Sequence, residues 1–317
     1  MAPPSVAIID IGSNSIKVLV AARLPGGTFA TLGGRTLDAR ISAGISRSRP
    51  ELGEEGMRRG LDAIRELLDF AAGHAPARIV LVATSAVRDA RNGADFRARV
   101  FAATGHTIRI LSGDEEANLI GRGLTCDPAL TALRDFHVFD LGGGSLECLA
   151  FRDRKIRQAL SLPLGCVRLT EKFVAAPAEP LPAAALAAIA AHVQAGLARA
   201  GIALPLPRGI AVVGTGGTLA TARGILAARA GRSFEAADPV ITVVQLRRLL
   251  AELAALPLAA RRGIDGLPAG RADVFPTALA TLVAVADAGG FDAFHNSLYN
   301  LRWGLADETL AALAADA

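Results

Sequence analysis

Two stretches of the sequence place an aspartate and small residues directly after an apolar run: Asp10-Ile-Gly-Ser-Asn-Ser15 and Asp140-Leu-Gly-Gly-Gly-Ser145. In each case the flanking apolar runs predict two strands joined by a tight hairpin. Successive backbone N–H groups in such a loop can cradle an anion, usually phosphate, and a neighbouring aspartate can hold Mg²⁺. An ordinary glycine hairpin would show the same local pattern, but its occurrence twice favours phosphate sites in two similar halves.

A third glycine-rich loop, Gly214-Thr-Gly-Gly-Thr218, lies between a predicted strand over 208–213 and a predicted helix over 219–226. The N-terminus of a helix attracts anions. No Gly-Lys-Ser/Thr follows, so this is not a P-loop. Three such loops predict a ligand with several phosphates. The loop residues predicted to bind it are Gly12, Ser13, Asn14, Ser15, Gly142, Gly143, Gly144, Ser145, Gly214, Thr215, Gly216, Gly217 and Thr218.

Two glutamates are candidates for acid–base chemistry at that ligand. Ser112 and Glu115 have the spacing of a capping box, which gives Glu115 a structural role. Glu116 lies about 100° further around the predicted helix and does not serve the cap. Glu147 returns on the strand two residues after the second hairpin loop. The pair predicts two carboxylates at one phosphate, although Glu116 could instead only favour the positive end of its helix.

Arg88 is a candidate phosphate ligand. A predicted strand over 78–83 leads into Thr84-Ser85 and then a predicted helix, where N–H groups and hydroxyls suit an anion. Arg88 lies about one turn into that helix. The alternative is that Arg88 and Arg91 belong to an ordinary solvated helix face.

Composition excludes several classes of protein. The 317 residues are 51% hydrophobic and 20% charged, with a net charge of +4. The sequence has no dense arginine block of the kind that indicates a nucleic-acid partner. It also has no stretch that approaches the roughly 20 apolar residues of a membrane span. Three cysteines without a CxxC pair fit a reducing cytoplasm, and the start of the sequence lacks a signal-peptide pattern. We expect a cytoplasmic α/β protein with two domains, 1–124 and 125–317.

Taken in order, six motifs resemble the exopolyphosphatase/guanosine pentaphosphate phosphohydrolase (Ppx/GppA) family in its short two-domain form. They are Asp10-Ile-Gly-Ser-Asn-Ser15, Thr84-Ser-Ala-Val-Arg-Asp-Ala-Arg-Asn-Gly93, Ser112-Gly-Asp-Glu-Glu-Ala117, Asp140-Leu-Gly-Gly-Gly-Ser-Leu-Glu147, Leu164-Gly-Cys-Val-Arg168 and Gly214-Thr-Gly-Gly-Thr218. The resemblance implies two ribonuclease-H-like domains of the actin, sugar kinase and heat-shock chaperone superfamily, flanking a cleft. It further implies release of orthophosphate from the ends of inorganic polyphosphate, with Mg²⁺, by a homodimer.

The resemblance also assigns roles to residues. It makes Glu116 and Glu147 catalytic, adds Arg88 to the loop residues as a phosphate ligand, and makes Asp140 a metal ligand, with Asp10 and Glu147 as further expected ligands. The sequence departs from the family pattern at Leu146, at residues 274–277 and at Asn300 and Trp303, which leaves substrate preference open. The alternatives are a guanosine pentaphosphate 5′-phosphohydrolase, a non-catalytic phosphate or nucleotide sensor, and a small-molecule kinase.

Overall fold

The computed structural model describes residues 3–43, 45 and 50–316, which form two compact units. The N-terminal unit contains the described residues up to Ala132 and those from Tyr299 onward, and the C-terminal unit is Leu133–Leu298. The predicted domains, 1–124 and 125–317, meet eight residues before the first boundary of the structure, which lies between residues 132 and 133. The structure has a second boundary, between residues 298 and 299, that was not predicted. The larger difference is the last segment of the chain, which belongs to the N-terminal unit.

Eleven strands and eleven α-helices occur in the described ranges. The strands are β1 Ser5–Ile11, β2 Ile16–Arg23, β3 Phe29–Leu37, β4 Arg78–Ala83, β5 Ile108–Ile110, β6 Phe136–Leu141, β7 Leu146–Arg152, β8 Lys155–Leu162, β9 Ala211–Thr215, β10 Val240–Thr242 and β11 Ala293–Asn296. The helices are α1 Glu54–Ala72, α2 Ser85–Arg88, α3 Gly93–Thr104, α4 Gly113–Thr125, α5 Cys166–Phe173, α6 Ala183–Arg199, α7 Gly217–Arg229, α8 Val243–Ala254, α9 Leu258–Arg261, α10 Phe275–Gly289 and α11 Leu301–Ala315. Short 3₁₀ helices cover Pro128–Leu130 and Ala269–Arg271.

The two sheets repeat one topology. In the N-terminal unit the strand order is β3-β2-β1-β4-β5, with β1, β2 and β3 antiparallel and β4 and β5 parallel to β1. In the C-terminal unit β8-β7-β6-β9-β11 repeats that order and those directions, and β10 adds an antiparallel edge strand. The predicted fold class, two ribonuclease-H-like α/β domains, is confirmed.

The central strand of the N-terminal sheet is apolar along its middle, because that part of the strand is buried. In the N-terminal unit β1 lies between β2 and β4, and its residues Val6–Ile9 are completely buried. Strands buried on both faces have continuous apolar runs rather than alternating ones. In the C-terminal unit α10 is buried nearly all round, from Phe275 to Ala286. Within the described ranges no helix is both long and apolar enough to cross a membrane.

The last helix joins the N-terminal unit through a close approach of two helices. A Cβ added at Gly304 of α11 would overlap the carbonyl oxygen of Leu119 on α4, and one at Gly123 would overlap that of Asn300. Only glycine lets the two backbones approach this closely. Because these contacts depend on residues about 180 positions apart, strand and helix periodicity could not reveal them.

The C-terminal departures from the family pattern have structural roles in this unit. Asn300 caps α11, accepting a hydrogen bond from the backbone N–H of Arg302 at 3.4 Å. Trp303 is buried between Tyr299, which stacks on it with ring centroids 4.5 Å apart, and Phe29, which meets it edge-on at 5.6 Å. Both residues therefore hold the returning helix in place.

Candidate active site

The predicted repetition of the hairpin is present in the structure. Gly12 donates its N–H to the carbonyl of Ser15 at 3.2 Å, and Gly142 donates to the carbonyl of Ser145 at 3.0 Å. We call residues 10–17 the first hairpin and residues 140–147 the second hairpin. Each joins the central strand of its sheet to the neighbouring antiparallel strand.

Both loops keep backbone donors unpaired. Among the residues that the structure describes, the N–H groups of the three residues after Gly12, and of the three after Gly142, donate to no protein acceptor. Consecutive free N–H groups in a turn form a concave anion site. Each hairpin therefore has the local geometry of a phosphate-binding loop.

A buried amide strengthens this interpretation for the first hairpin. The Nδ2 of Asn14 is buried and has no hydrogen-bond partner in the described part of the chain. Its Oδ1 accepts from the guanidinium of Arg40 at 3.2 Å, through both Nε and Nη2. A buried unpaired donor is unfavourable by about 1–3 kcal/mol, and a phosphate oxygen would satisfy it. Sequence patterns missed Arg40, which follows no motif.

The first hairpin contacts the start of α2. The hydroxyls of Ser13 and Ser85 lie 3.3 Å apart. The backbone N–H of Thr84 donates to the carbonyl of Ile11 at 3.4 Å, and Ser42 donates its hydroxyl to the carbonyl of Ser13 at 3.0 Å. The carboxyl ends of β1 and β4 therefore bring together the hydroxyl-rich segments that the sequence singled out. The helix that follows is a single turn, shorter than expected.

Arg88 and Glu116 meet in the N-terminal unit. Arg88 Nη1 lies 2.7 Å from Oε2 of Glu116 and also donates to the carbonyl of Leu111 at 3.2 Å. Glu116 is 6% exposed. A buried carboxylate needs such a partner, because burying an unpaired charge is strongly unfavourable. Arg88 is thus half-buried and paired rather than on a solvated helix face, whereas Arg91 is exposed.

The adjacent glutamate has the structural role that its spacing predicted. Glu115 accepts from the N–H of Ser112 at 2.8 Å, and the hydroxyl of Ser112 accepts from the N–H of Glu115 at 3.1 Å. The Ser112 N–H lowers the pKa of Glu115, and Arg109 lowers it further. Neighbouring glutamates are thus divided between capping α4 and pairing with Arg88.

An arginine from α11 accompanies the acid of the first hairpin. Arg302 Nη1 lies 3.4 Å from Oδ2 of Asp10. The two residues are 292 positions apart, so only the return of α11 to the N-terminal unit brings them together. The sequence analysis singled out the neighbouring Asn300 and Trp303 but assigned Arg302 no role.

The second hairpin carries two carboxylates side by side. Asp140 and Glu147 are direct cross-strand partners on β6 and β7, which places their side chains on one face of the sheet. Both are buried, with Glu147 only 2% exposed. The hydroxyl of Ser161 on β8 donates to Oε1 of Glu147 at 2.7 Å.

The N-terminus of α5 supports the second loop. The N–H groups of Cys166 and Val167 donate to the carbonyls of Gly142 at 3.0 Å and Gly143 at 2.8 Å. A Cβ on Gly165 would overlap the backbone of this loop. Because the carbonyl groups of the second loop point toward α5, the N–H groups of that loop remain available for a ligand.

Arg168 is a cation at the same loop. Its Nε donates to the carbonyl of Gly144 at 3.0 Å. Arg168 belongs to one of the six motifs, but the sequence analysis gave it no role. It brings a positive charge to a loop whose own residues carry none.

The third loop packs on the second hairpin. Gly216 has a φ of 87° and precedes α7, and a Cβ there would overlap Oδ1 of Asp140. The hydroxyl of Thr218 donates to the carbonyl of Leu141 at 3.4 Å. Gly214 lies further back, inside β9, where the missing side chain leaves room for Leu219. Its predicted role in phosphate binding has no support in this placement.

Sequence patterns also missed an arginine at the third loop, Arg271. The guanidinium of Arg271 lies against Gly217, where a Cβ would overlap it, and its Nη1 lies 3.4 Å from the hydroxyl of Thr221. Arg261, which is fully buried, anchors the following residue by donating to the carbonyl of Ala272 at 3.0 Å. Nothing in the local pattern indicated that residue 271 would reach α7.

The predicted metal ligands belong to different units: Asp10 lies in the N-terminal unit, and Asp140 and Glu147 lie in the C-terminal unit. In the described ranges no group of three or more His, Cys, Asp and Glu side chains is placed to hold a metal ion. Mg²⁺ is often held by one or two carboxylates, with substrate phosphates and water completing its shell. Asp140 and Glu147 fit that requirement, whereas Asp10 is already paired with Arg302. That Glu116 and Glu147 act on one phosphate stays a prediction.

Comparison with solved structures identifies the class of fold. An exopolyphosphatase from Cytophaga hutchinsonii matches with a TM-score of 0.85 at 23% identity, over 97% of this chain and 98% of that one. A Ppx/GppA family member from Aquifex aeolicus matches with a TM-score of 0.75 at 21% identity, over 99% and 98% of the two chains. At these identities the likeness concerns the fold.

The sequence identifies the family. The model of the Ppx/GppA phosphatase family matches residues 19–312, and the chain belongs to that family. A guanosine-5′-triphosphate,3′-diphosphate pyrophosphatase from Vibrio vulnificus (strain YJ016) is 31% identical over 99% of this chain. The match covers 61% of that relative, so this chain spans about three fifths of its length.

Proposed function

We propose that this Ppx/GppA family phosphatase hydrolyses the terminal phosphoanhydride bond of inorganic polyphosphate and releases orthophosphate. The observation that carries the proposal is the pair of hairpin loops, each with three consecutive free N–H groups after its first glycine. A polyanionic chain with no base or sugar to recognise is a natural ligand for such loops. The structural similarity to an exopolyphosphatase supports the same substrate.

The residues divide the work of hydrolysis as follows. The free N–H groups of the two loops, Asn14 Nδ2 and nearby arginines bind phosphate oxygens and offset their charge, which is the main requirement of phosphoryl transfer. Asp140 and Glu147 would hold Mg²⁺, which supplies further charge neutralisation when bound. Glu116 orients the attacking water and accepts its proton, and Arg88 fixes the position of the Glu116 carboxylate.

Guanosine pentaphosphate is the second candidate substrate. It is favoured by the relative whose name describes activity on a guanosine 5′-triphosphate,3′-diphosphate. Its 5′ end presents the same terminal phosphoanhydride, so the loops and carboxylates would act in the same way. The two substrates differ only in what lies beyond the phosphates.

Orthophosphate release from the two substrates tests the proposal. Purified protein with Mg²⁺ is given polyphosphate or guanosine pentaphosphate at matched concentrations of phosphate ends, and initial rates are compared. We expect a higher kcat/KM on polyphosphate. A higher kcat/KM on guanosine pentaphosphate would show that the nucleotide, rather than polyphosphate, is the preferred substrate. Binding of both without release from either would contradict hydrolysis and support a sensor.

A further inference from the structure

Arg223 on α7 is a buried cation that the chain leaves incompletely paired. It is 9% exposed. Its Nη2 donates to the carbonyl of Ala237 at 2.7 Å, and its guanidinium carbon lies 4.6 Å from the centre of the Phe234 ring. The buried Nε has no partner in the described part of the chain. Nη1 makes no hydrogen bond with any described residue, and no described carboxylate lies within ion-pair distance of this arginine. The pKa of the exposed Glu235 is lowered by a backbone hydrogen bond and, to a smaller extent, by the charge of Arg223.

A second buried arginine in the same unit shows how unusual this is. All three nitrogens of Arg261 donate to backbone carbonyls, among them those of Leu256, Ala272 and Pro177. Guanidinium stays charged at any physiological pH, and a buried charge without partners is unfavourable. Arg223 therefore lacks the compensation that Arg261 has.

The missing partner has a place to bind. Arg223 lines a cavity of about 170 Å³ between α7, the segment after it and α8. Arg232 and Gln245 contribute further polar groups to its wall, and Leu226, Ala227 and Val240 contribute apolar surface. Asp238 also lines the cavity, and its Oδ1 accepts a hydrogen bond from the backbone N–H of Val240 at 2.8 Å. An anion in apolar surroundings is held more strongly by a guanidinium than it would be in water.

The cavity is separate from the loops of the candidate active site. Arg223 lies two residues beyond Thr221, or about 200° around the helix. Thr221 faces Arg271 at the third loop, so Arg223 lies on the opposite side of α7. The volume of about 170 Å³ has room for one phosphate group.

We propose that this cavity binds a single phosphate group through Arg223 and Arg232. The group is either free orthophosphate or the terminal phosphate of a longer chain. Guanidinium binds phosphate through a planar fork of donors. If the proposed function holds, the bound ion is the reaction product and the site is a means of feedback. Phosphate binding itself does not depend on that activity.

Amide hydrogen exchange of the segment 226–240 tests the site directly. Exchange is measured with no anion, with orthophosphate, with tripolyphosphate and with acetate. The variants are Arg223→Met and a control, Arg229→Met, which removes an exposed charge from the same helix. Orthophosphate should slow exchange in the wild type and in Arg229→Met, with affinity reduced at least about tenfold in Arg223→Met.

The outcomes separate this site from the catalytic loops. Protection of residues 142–145 should persist in Arg223→Met, so a failure at one site is distinct from a failure at the other. Protection of 226–240 by tripolyphosphate alone would assign the terminal group of a chain as the ligand. Equal protection by acetate, or none by any phosphate in the wild type, would overturn the proposal.

A second variant keeps the test decisive if Arg223→Met does not fold. Arg232 is exposed, so Arg232→Met should retain the fold. It should weaken phosphate binding severalfold, because the second guanidinium is lost. Unchanged affinity in Arg232→Met would contradict the two-arginine site.

Discussion

The two hairpins share a backbone and differ in their charges. Both place an aspartate before a loop of free N–H groups. In the first hairpin the cross-strand partner of Asp10 is Lys17, and Arg302 contacts the same aspartate. In the second hairpin the partner of Asp140 is Glu147.

This difference indicates a division of roles between hairpins that share one loop geometry. Two carboxylates side by side across the strands suit a cation, whereas Asp10 has a lysine as its cross-strand partner and an arginine in contact with it. In the N-terminal unit the carboxylate proposed as the general base, Glu116, comes from outside the hairpin, on α4, and is paired with Arg88. We therefore expect the loop to bind phosphate in both units, and only the second hairpin to combine it with a metal-binding pair.

The largest expected effect is at the carboxylate outside the first hairpin. Glu116→Gln keeps the size of the side chain and removes the base, so kcat for orthophosphate release should fall at least about a hundredfold. Glu115→Gln is the matched control. Because the Glu115 side chain caps α4, this variant should leave kcat nearly unchanged. Equal losses in the two variants would contradict the assignment of Glu116.

The second prediction concerns metal dependence and compares the two aspartates. Asp140→Asn should raise the Mg²⁺ concentration for half-maximal activity about tenfold or more, because it weakens one of two adjacent ligands. Asp10→Asn should leave that concentration unchanged, although it can lower the rate. Activity is measured across a Mg²⁺ titration for both variants. A larger shift in Asp10→Asn would reverse the division of roles.

The third prediction concerns the support of the second loop. Gly165→Ala forces the loop backbone away from α5, and we expect a loss of about 1–3 kcal/mol in unfolding free energy, with a higher KM. Gly53→Ala is the control, since a Cβ there meets nothing. Denaturant unfolding and steady-state kinetics give the two readouts. Wild-type stability in Gly165→Ala would show that the loop adapts freely.

The smallest expected effect is on the pH dependence of stability. It distinguishes the capping box of α4 from that of α8. Glu115 in the N-terminal unit has a pKa lowered from its ordinary value of 4.5 by the Ser112 N–H. Its contribution to stability is present above pH 4.5 and is lost as the pH falls through the lowered folded-state value. Gln245 caps α8 in the C-terminal unit through the same geometry and does not titrate.

Because Glu115 is largely solvent-exposed, we expect Glu115→Gln to change unfolding free energy by less than about 1 kcal/mol. The change should be larger at pH 7 than at pH 3, because pH 3 lies below the ordinary pKa of 4.5. Gln245→Ala should lower stability equally at both pH values. Denaturant titrations at the two pH values check this, and a pH-independent change in Glu115→Gln would contradict the charged cap.

Much of the candidate site follows from short-range patterns. The aspartate-glycine-serine spacing predicted both hairpins, and the Ser112–Glu115 spacing predicted the cap that leaves Glu116 for another partner. Each depends on hydrogen bonds between residues two to four positions apart, which local sequence specifies. The apolar runs before the loops likewise predicted the central strands.

Other features depend on distant parts of the chain. Arg40 reaches Asn14 across 26 residues, and Arg302 reaches Asp10 across 292. No periodicity encodes such pairs, because they exist only once helices and strands have packed. The unpaired Nε of Arg223 is likewise a property of the packed interior, which places no described acceptor within hydrogen-bond distance of that atom.

The sequence by itself determined the family, the strand-loop-strand hairpins and the positions of the glycine-rich loops, because backbone turns need glycine and small residues at particular spacings. Only the tertiary structure decided which charges accompany each loop. The return of α11 supplies Arg302 to the first hairpin, and cross-strand pairing places Glu147 beside Asp140 in the second. Charge compensation acts through space over a few ångströms, so folding rather than order along the chain sets the electrostatics of each hairpin.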